Sequence, residues 1–157
     1  MTGNELDRAL ERAAEVNERL KAAKDDSKAN LQEQQNKRAT ESREFETFVH
    51  TLAKDLTGVA AKLAQASVPR IDLARPQRPG LPEAHLVMKN VIGSKSIIGK
   101  LTITEGQFKL KIDLDRGPQQ LDLPEIKYPV GSIESQQLVT AMIDAYTKAV
   151  NQQLRSS

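Results

Sequence analysis

Between Leu6 and about Ala66, apolar residues recur alternately three and four positions apart, a seven-residue repeat with a polar stretch in its middle. With Leu10 set at position a, the a sites read Leu10, Asn17, Lys24, Leu31, Arg38, Phe45, Leu52 and Val59. The d sites read Leu6, Ala13, Leu20, Ser27, Gln34, Glu41 and Phe48. Only another helix can cover so narrow an apolar stripe, so the repeat predicts a coiled coil. Its candidate oligomerisation residues are Leu6, Leu10, Leu20, Leu31, Phe45, Phe48, Leu52 and Val59. Residues 1–66 contain no proline, are rich in strong helix formers and carry Gly58 as the one glycine away from the start. Across Lys24 to Glu41 the seam is polar except for Leu31, and two arrangements follow. In one, a continuous helix pairs with a second copy of the chain. In the other, Lys24-Asp25-Asp26-Ser27 is a turn, Asp26 or Ser27 caps a new helix, and the two arms fold back on each other. The lack of glycine and proline at the turn favours the continuous helix. From Phe45 onward the apolar stripe widens through Leu56 and Leu63, which predicts that this end also packs on the C-terminal domain.

The pattern then changes twice. In residues 67–84, Pro69, Pro76, Pro79 and Pro82 stand at close intervals with Arg70, Arg75 and Arg78 between them, the signature of a semi-rigid extended linker. The spacing of Pro76, Pro79 and Pro82 would also suit a groove that reads a polyproline ridge. Residues 85–157 read as a small head. Strands are predicted over His85–Ile92, Ser96–Thr104, Gln107–Leu114 and Gln120–Leu123, the last stopped by Pro124 and so an edge. Glu105-Gly106 marks a hairpin turn and Arg116-Gly117-Pro118 another. Ser132 is the expected cap of a final helix reaching about Leu154, whose stripe of Ile133, Val139, Met142, Ile143, Tyr146, Ala149 and Val150 can cover one sheet face. The expected fold is therefore α+β: a helical coiled coil, a proline-rich spacer, and an antiparallel β-meander closed by a C-terminal helix.

Parity fixes the register of the central hairpin. Burying one apolar face places Ile103 opposite Phe108 and Leu101 opposite Leu110, and this sets Lys100 opposite Lys111 and Thr102 opposite Lys109 on the other face. Directly opposed like charges are unfavourable, and an anionic partner would relieve them. Lys95, Lys100, Lys109 and Lys111 are accordingly the candidate anion- or partner-binding residues, set against the simpler reading of a solvated face that discourages edge pairing.

Composition agrees with this division. The chain has 157 residues, 38% apolar and 3% aromatic with no Trp, poor for one compact core but ordinary where a long helix is solvated. The formal charge of +2 conceals a polarity: residues 1–66 hold 11 basic and 12 acidic side chains, while residues 85–111 carry five lysines against Glu105 alone. The chain has no cysteine, which excludes disulfides and thiolate metal sites, and its histidines are His50 and His85. No stretch approaches the apolar length of a membrane span, and the N-terminus does not read as a signal peptide, so a cytoplasmic protein without membrane contact is expected.

Chemistry is sparse. Gly93 to Lys100 superficially suggests a phosphate loop, but Ser94 and Leu101 stand where the motif needs glycine and a hydroxyl residue, and the segment leads into a strand. Gly93 and Gly99 are instead expected in a turn and a bulge. No serine, histidine and carboxylate arrangement suggests a nucleophile, and few aromatics remain for base stacking. The sequence thus predicts a protein with no enzymatic role and no cofactor, a homodimer joined through its coiled coil that presents its heads to a protein partner. The alternative is a nucleic-acid accessory protein of bacterial, plasmid or phage type, using the lysine-rich sheet face and the linker arginines against phosphates.

Overall fold

The structure, a computed structural model, describes residues 2–76, 82–115 and 121–156, without the side chains of residues 2, 3, 90 and 156. The chain divides into two compact units, Met1–Thr40 and Glu41–Ser157. The class is α+β, as expected. The elements run α1 (Thr2–Gln65), β1 (Ile71–Ala74), β2 (Glu83–Ile92), β3 (Lys95–Thr104), β4 (Gln107–Asp115), β5 (Ile126–Pro129), a 3-10 turn (Val130–Ser132) and α2 (Ser135–Ser156). Helix α1 is continuous through Lys24–Ser27, so the alternative turn there does not form. The favourable propensity of the surrounding Ala, Glu, Lys and Gln outweighs the two aspartates.

The described residues of the first unit are all helical, and its described side chains, residues 4–40, are all exposed. The second unit is a two-layer sandwich. Its five strands lie in the order β1-β2-β3-β4-β5, every neighbour antiparallel. One sheet face carries Ala84, Leu86, Met88, Ile97, Leu101, Phe108, Leu110 and Ile112, all buried. Helix α2 covers this face with Leu138, Val139, Met142, Ala145 and Ala149, and residues 41–65 of α1 cover it with Phe45, Val49, Leu52, Leu56 and Leu63. Phe45 stacks on Phe108 at 5.9 Å between ring centroids, and Phe48 meets the same ring at 5.0 Å. Fully burying such side chains contributes about 1.5–3 kcal/mol each, which makes this half of α1 part of the core.

Three local devices set the geometry. At the end of α1, Val68 N–H donates to the Leu63 carbonyl and Ser67 N–H to that of Ala64, with Ser67 in the left-handed region at φ 58°. This pair of bonds closes the last turn, and Pro69 then prevents continuation. Glu105 and Gly106, at φ 54° and 73°, form the two-residue turn of the β3–β4 hairpin, and their left-handed conformation gives the turn a twist that matches the flanking strands. Gly99 pairs regularly with Leu86 and Ile112 and is not a bulge; the register shift lies in β2 between Met88 and Ile92. A Cβ at Gly99 would fall 2.8 Å from Met142 Sδ and 3.2 Å from Leu110 Cδ1, so its role is to let α2 approach the sheet.

Other expectations change. Ile71–Ala74, inside the segment read as linker, is an edge strand, with Ile71 buried and paired with Met88. Four residues between prolines carry too short an alternation to be read as a strand before β2 is there to pair with it. The linker reading also stops short of residue 84, because β2 already begins at Glu83. The edge strand after the β4 turn is Ile126–Pro129, not Gln120–Leu123. Leu121 is fully buried and Asp122 takes φ 48°, which breaks an extended run there, whereas Ile126 and Tyr128 alternate correctly opposite Leu110 and Phe108. Gln120, the turn Arg116-Gly117-Pro118, Arg78 and Pro79 lie outside the described residues. Ser132 is not the helix cap, since α2 starts at Ser135 and Gln137 Oε1 accepts from the Glu134 N–H.

Arg75 ties the helix to the sheet. Its guanidinium lies 5.4 Å from the centre of the Phe45 ring, bonds both Glu46 carboxylate oxygens at 2.9 and 2.6 Å, and donates from Nε to the Glu83 carbonyl. The hydrogen bonds from Arg75 hold the Glu46 carboxyl below its ordinary pKa.

If residues 41–65 belong to the core, Phe45→Ala should destabilise the second unit by about 3–5 kcal/mol, the cost of deleting a buried aromatic. Denaturant unfolding followed at a tyrosine-sensitive wavelength measures this, and a loss below about 1 kcal/mol, on the order of a surface change, would contradict the packing.

Candidate functional site

Pairing across the sheet puts the lysines where parity requires. Ile103 faces Phe108, Leu101 faces Leu110, Lys100 faces Lys111 and Thr102 faces Lys109. Strand β5 adds Lys127 opposite Lys109. Lys100, Lys109, Lys111 and Lys127 therefore gather over three adjacent strands on the face away from both helices. His85, opposite Lys100 on β2, shares this face. Lys95 does not join them, because it has the parity of the buried Ile97 and sits at the far end of the β2–β3 hairpin, opposite Ile92.

Two of the four lysines are engaged. Lys100 Nζ lies 2.9 Å from Glu83 Oε1, and Lys111 Nζ donates to the Leu123 carbonyl at 3.0 Å. Lys109 and Lys127 oppose each other directly, and Thr102 flanks them across β3. The face thus has a neutralised end near Glu83 and His85 and, among the described residues, an uncompensated positive end at β4–β5. Sequence reasoning misses Lys127 because it sets the edge strand at Gln120–Leu123. The alternation of Ile126, Lys127 and Tyr128 is the signal that could have found it. Two linker arginines expected as phosphate contacts are occupied: Arg70 pairs with Asp72 at 2.6 Å and Arg75 with Glu46 at the same distance.

The expected oligomerisation residues divide by unit. Phe45 and Leu52 are fully buried, and Phe48 and Val59 are half-buried against the same core. Folding consumes them within their own chain. Leu6, Leu10, Leu20 and Leu31, with Val16, are 54–61% exposed on a helix surface that nothing in the first unit covers. Large apolar side chains exposed at intervals along one helix make this stripe a candidate contact surface.

A further depression of about 500 Å³ lies between α2 and the β5 end of the sheet, lined by Leu123, Pro124, Ile126, Tyr128, Ala141 and Ala145 among others. Burial pushes the Tyr128 phenol above its ordinary pKa. Among the described residues, no group of three or more His, Asp or Glu side chains could hold a metal ion, and no helix is long and apolar enough to cross a membrane. His50 is exposed on α1, whereas His85 Nε2 lies 3.7 Å from Glu83 Oε1. Comparison with protein-family models, characterised proteins and solved structures finds no match to this chain.

The opposed Lys109–Lys127 pair should carry a stability cost. Lys127→Glu should raise unfolding free energy by about 0.5 kcal/mol in low salt, and the gain should shrink as salt is added. Denaturant melts at two ionic strengths check this, and an unchanged or lowered midpoint would mean that the two ammonium groups do not interact.

Proposed function

We propose that this chain is a non-enzymatic, cytoplasmic interaction protein that self-associates through residues 6–31 and offers the lysine face of its second unit to an acidic surface on a partner protein. The observation that carries this reading is the stripe of Leu6, Leu10, Leu20 and Leu31, exposed along a helix with no cover in its own unit. Burying these leucines between copies removes apolar surface from water at about 25 cal/mol per Å². Two lysine faces in one assembly then bind a multivalent partner with avidity and no new contacts. The reading is confined to residues 6–31 because Phe45 and Leu52 already serve the core.

Light scattering of the full chain should give about twice the chain mass, and Leu10→Asp with Leu20→Asp should return it to a monomer without altering the unfolding of the second unit. A wild-type chain that remains monomeric across a concentration series would remove the basis of this proposal.

A nucleic-acid accessory role is the second reading, favoured by Lys109 and Lys127, which face each other across β4–β5 with Lys111 beside them. Phosphates would relieve that repulsion, and counterion release would drive binding with little base preference. If this is the role, changing Lys109, Lys111 and Lys127 to Gln should weaken binding to any duplex and flatten its salt dependence by about 0.9 for each phosphate no longer neutralised. Wild-type protein that does not shift duplex at low salt would exclude it.

A further inference from the structure

Self-association through residues 6–31, on which the following rests, leaves the direction of the two helices open. We propose that they pair antiparallel over residues 6–24, with Leu10 of each copy opposite Leu20 of the other. In an antiparallel pair, a sites meet d sites, while e sites meet e sites along one flank and g sites meet g sites along the other. In this repeat the two flanks differ in chemistry. The g sites are Ala9, Val16 and Ala23, all apolar; the e sites are Asp7, Ala14 and Lys21.

Antiparallel pairing sorts these sites. In the register that sets Leu10 against Leu20, the g flank brings Ala9 to Ala23 and Val16 to Val16 at the two-fold axis, a dry seam of small side chains that lets the helices approach. The e flank brings Asp7 to Lys21 at both ends, two equivalent pairs of opposite charges, with Ala14 against Ala14 between them. At the core, Leu10–Leu20 forms twice, Ala13 accommodates Asn17, and the methylene stem of Lys24 covers Leu6 while its ammonium reaches water, with Leu31 lying beyond the paired span. The next register, one heptad longer, would set Leu6 against Leu31 but oppose Leu10 to Ser27 and Leu20 to Asn17, so that four leucines of the pair would face polar side chains instead of two.

Parallel pairing does the reverse. It stacks Lys24 on Lys24 at a core position, repeats the clash with Arg38 on Arg38, and places Val16 and Ala23 beside Lys21 and Lys28 with no opposite charge to answer them. A parallel dimer would stack Leu6, Leu10, Leu20 and Leu31 each on its own copy and satisfy Asn17 against Asn17. It gains no ion pair at its flanks.

The absence of cysteine makes the test direct, because introduced thiols have no native competitor. The full-length Leu10→Cys and Leu20→Cys chains are oxidised separately and then as an equal mixture, with light scattering on each. Antiparallel pairing sets the two copies of position 10 about ten residues, roughly 15 Å, apart along the axis. Disulfides form only within about 7 Å between Cα atoms, so each variant alone should stay unlinked and the mixture should link. Val16→Cys, at the axis, should link to itself. A charge swap gives a second readout: Asp7→Lys should weaken the dimer several-fold, and adding Lys21→Asp should restore it.

Self-linking of Leu10→Cys and of Leu20→Cys would show a parallel pair and overturn the proposed direction. Dimer mass without a link in the mixture would overturn the register while leaving self-association intact. Monomer mass throughout would overturn both.

Discussion

A sheet with one apolar face cannot remain uncovered, and the cover it receives decides how the rest of the chain is used. Helix α2 supplies Leu138, Met142, Ala145 and Ala149, but the Phe108 end of the face is closed by Phe45 and Phe48 of α1. That contact, backed by Arg75 across Phe45 and onto Glu46, makes residues 41–65 inseparable from the sheet unit. Removing one aromatic from such a cluster opens a cavity that neighbours fill only partly. The Schellman-type turn at Ser67 and Val68 then brings the chain to the edge, where β1 can pair with β2.

The same parity that buries Leu101, Ile103, Phe108 and Leu110 obliges Lys100, Lys109 and Lys111 to share the opposite face. Burial therefore sets which face the lysines occupy, while their chemical state differs by strand. Glu83 answers Lys100 and a backbone carbonyl answers Lys111, but β5 sets Lys127 against Lys109 and adds positive charge. A cross-strand pair of equal sign opposes folding by a fraction of a kcal/mol. Such a pair gives the face a charge suited to an anionic surface, which is the ground for placing a partner there.

One seven-residue period runs along α1 through two different surroundings. In residues 41–65 it feeds an intrachain core of aromatic and aliphatic side chains, whereas in residues 4–40 every described side chain is exposed. The apolar side chains described in the first unit are leucine, valine and alanine, too few to form a core of their own. The polar stretch from Lys24 to Glu41 separates these two parts, and the boundary between the compact units falls at its end.

By itself, the sequence determined whatever depends on local period and local turns: a continuous α1, the β3–β4 hairpin around Glu105-Gly106, its register to the residue, and the α+β class. These follow from sterics and side-chain alternation within a few residues. The widening of the stripe after Phe45 pointed to packing on the C-terminal domain, but only the tertiary structure decided that Phe45 and Leu52 are covered fully by the chain itself, because a heptad pattern looks the same whether a sheet or a second helix lies against it. Phe45 and Leu52 fit a seam between copies for that reason, yet they lie in the core. Strand β1 is likewise hidden in the sequence, and β5 shows there only as the three-residue alternation of Ile126, Lys127 and Tyr128, since four-residue strands have little identity until a neighbour pairs with them. Lys127 becomes part of the lysine face only through that pairing, for position on a sheet is fixed by hydrogen bonds to residues distant in sequence.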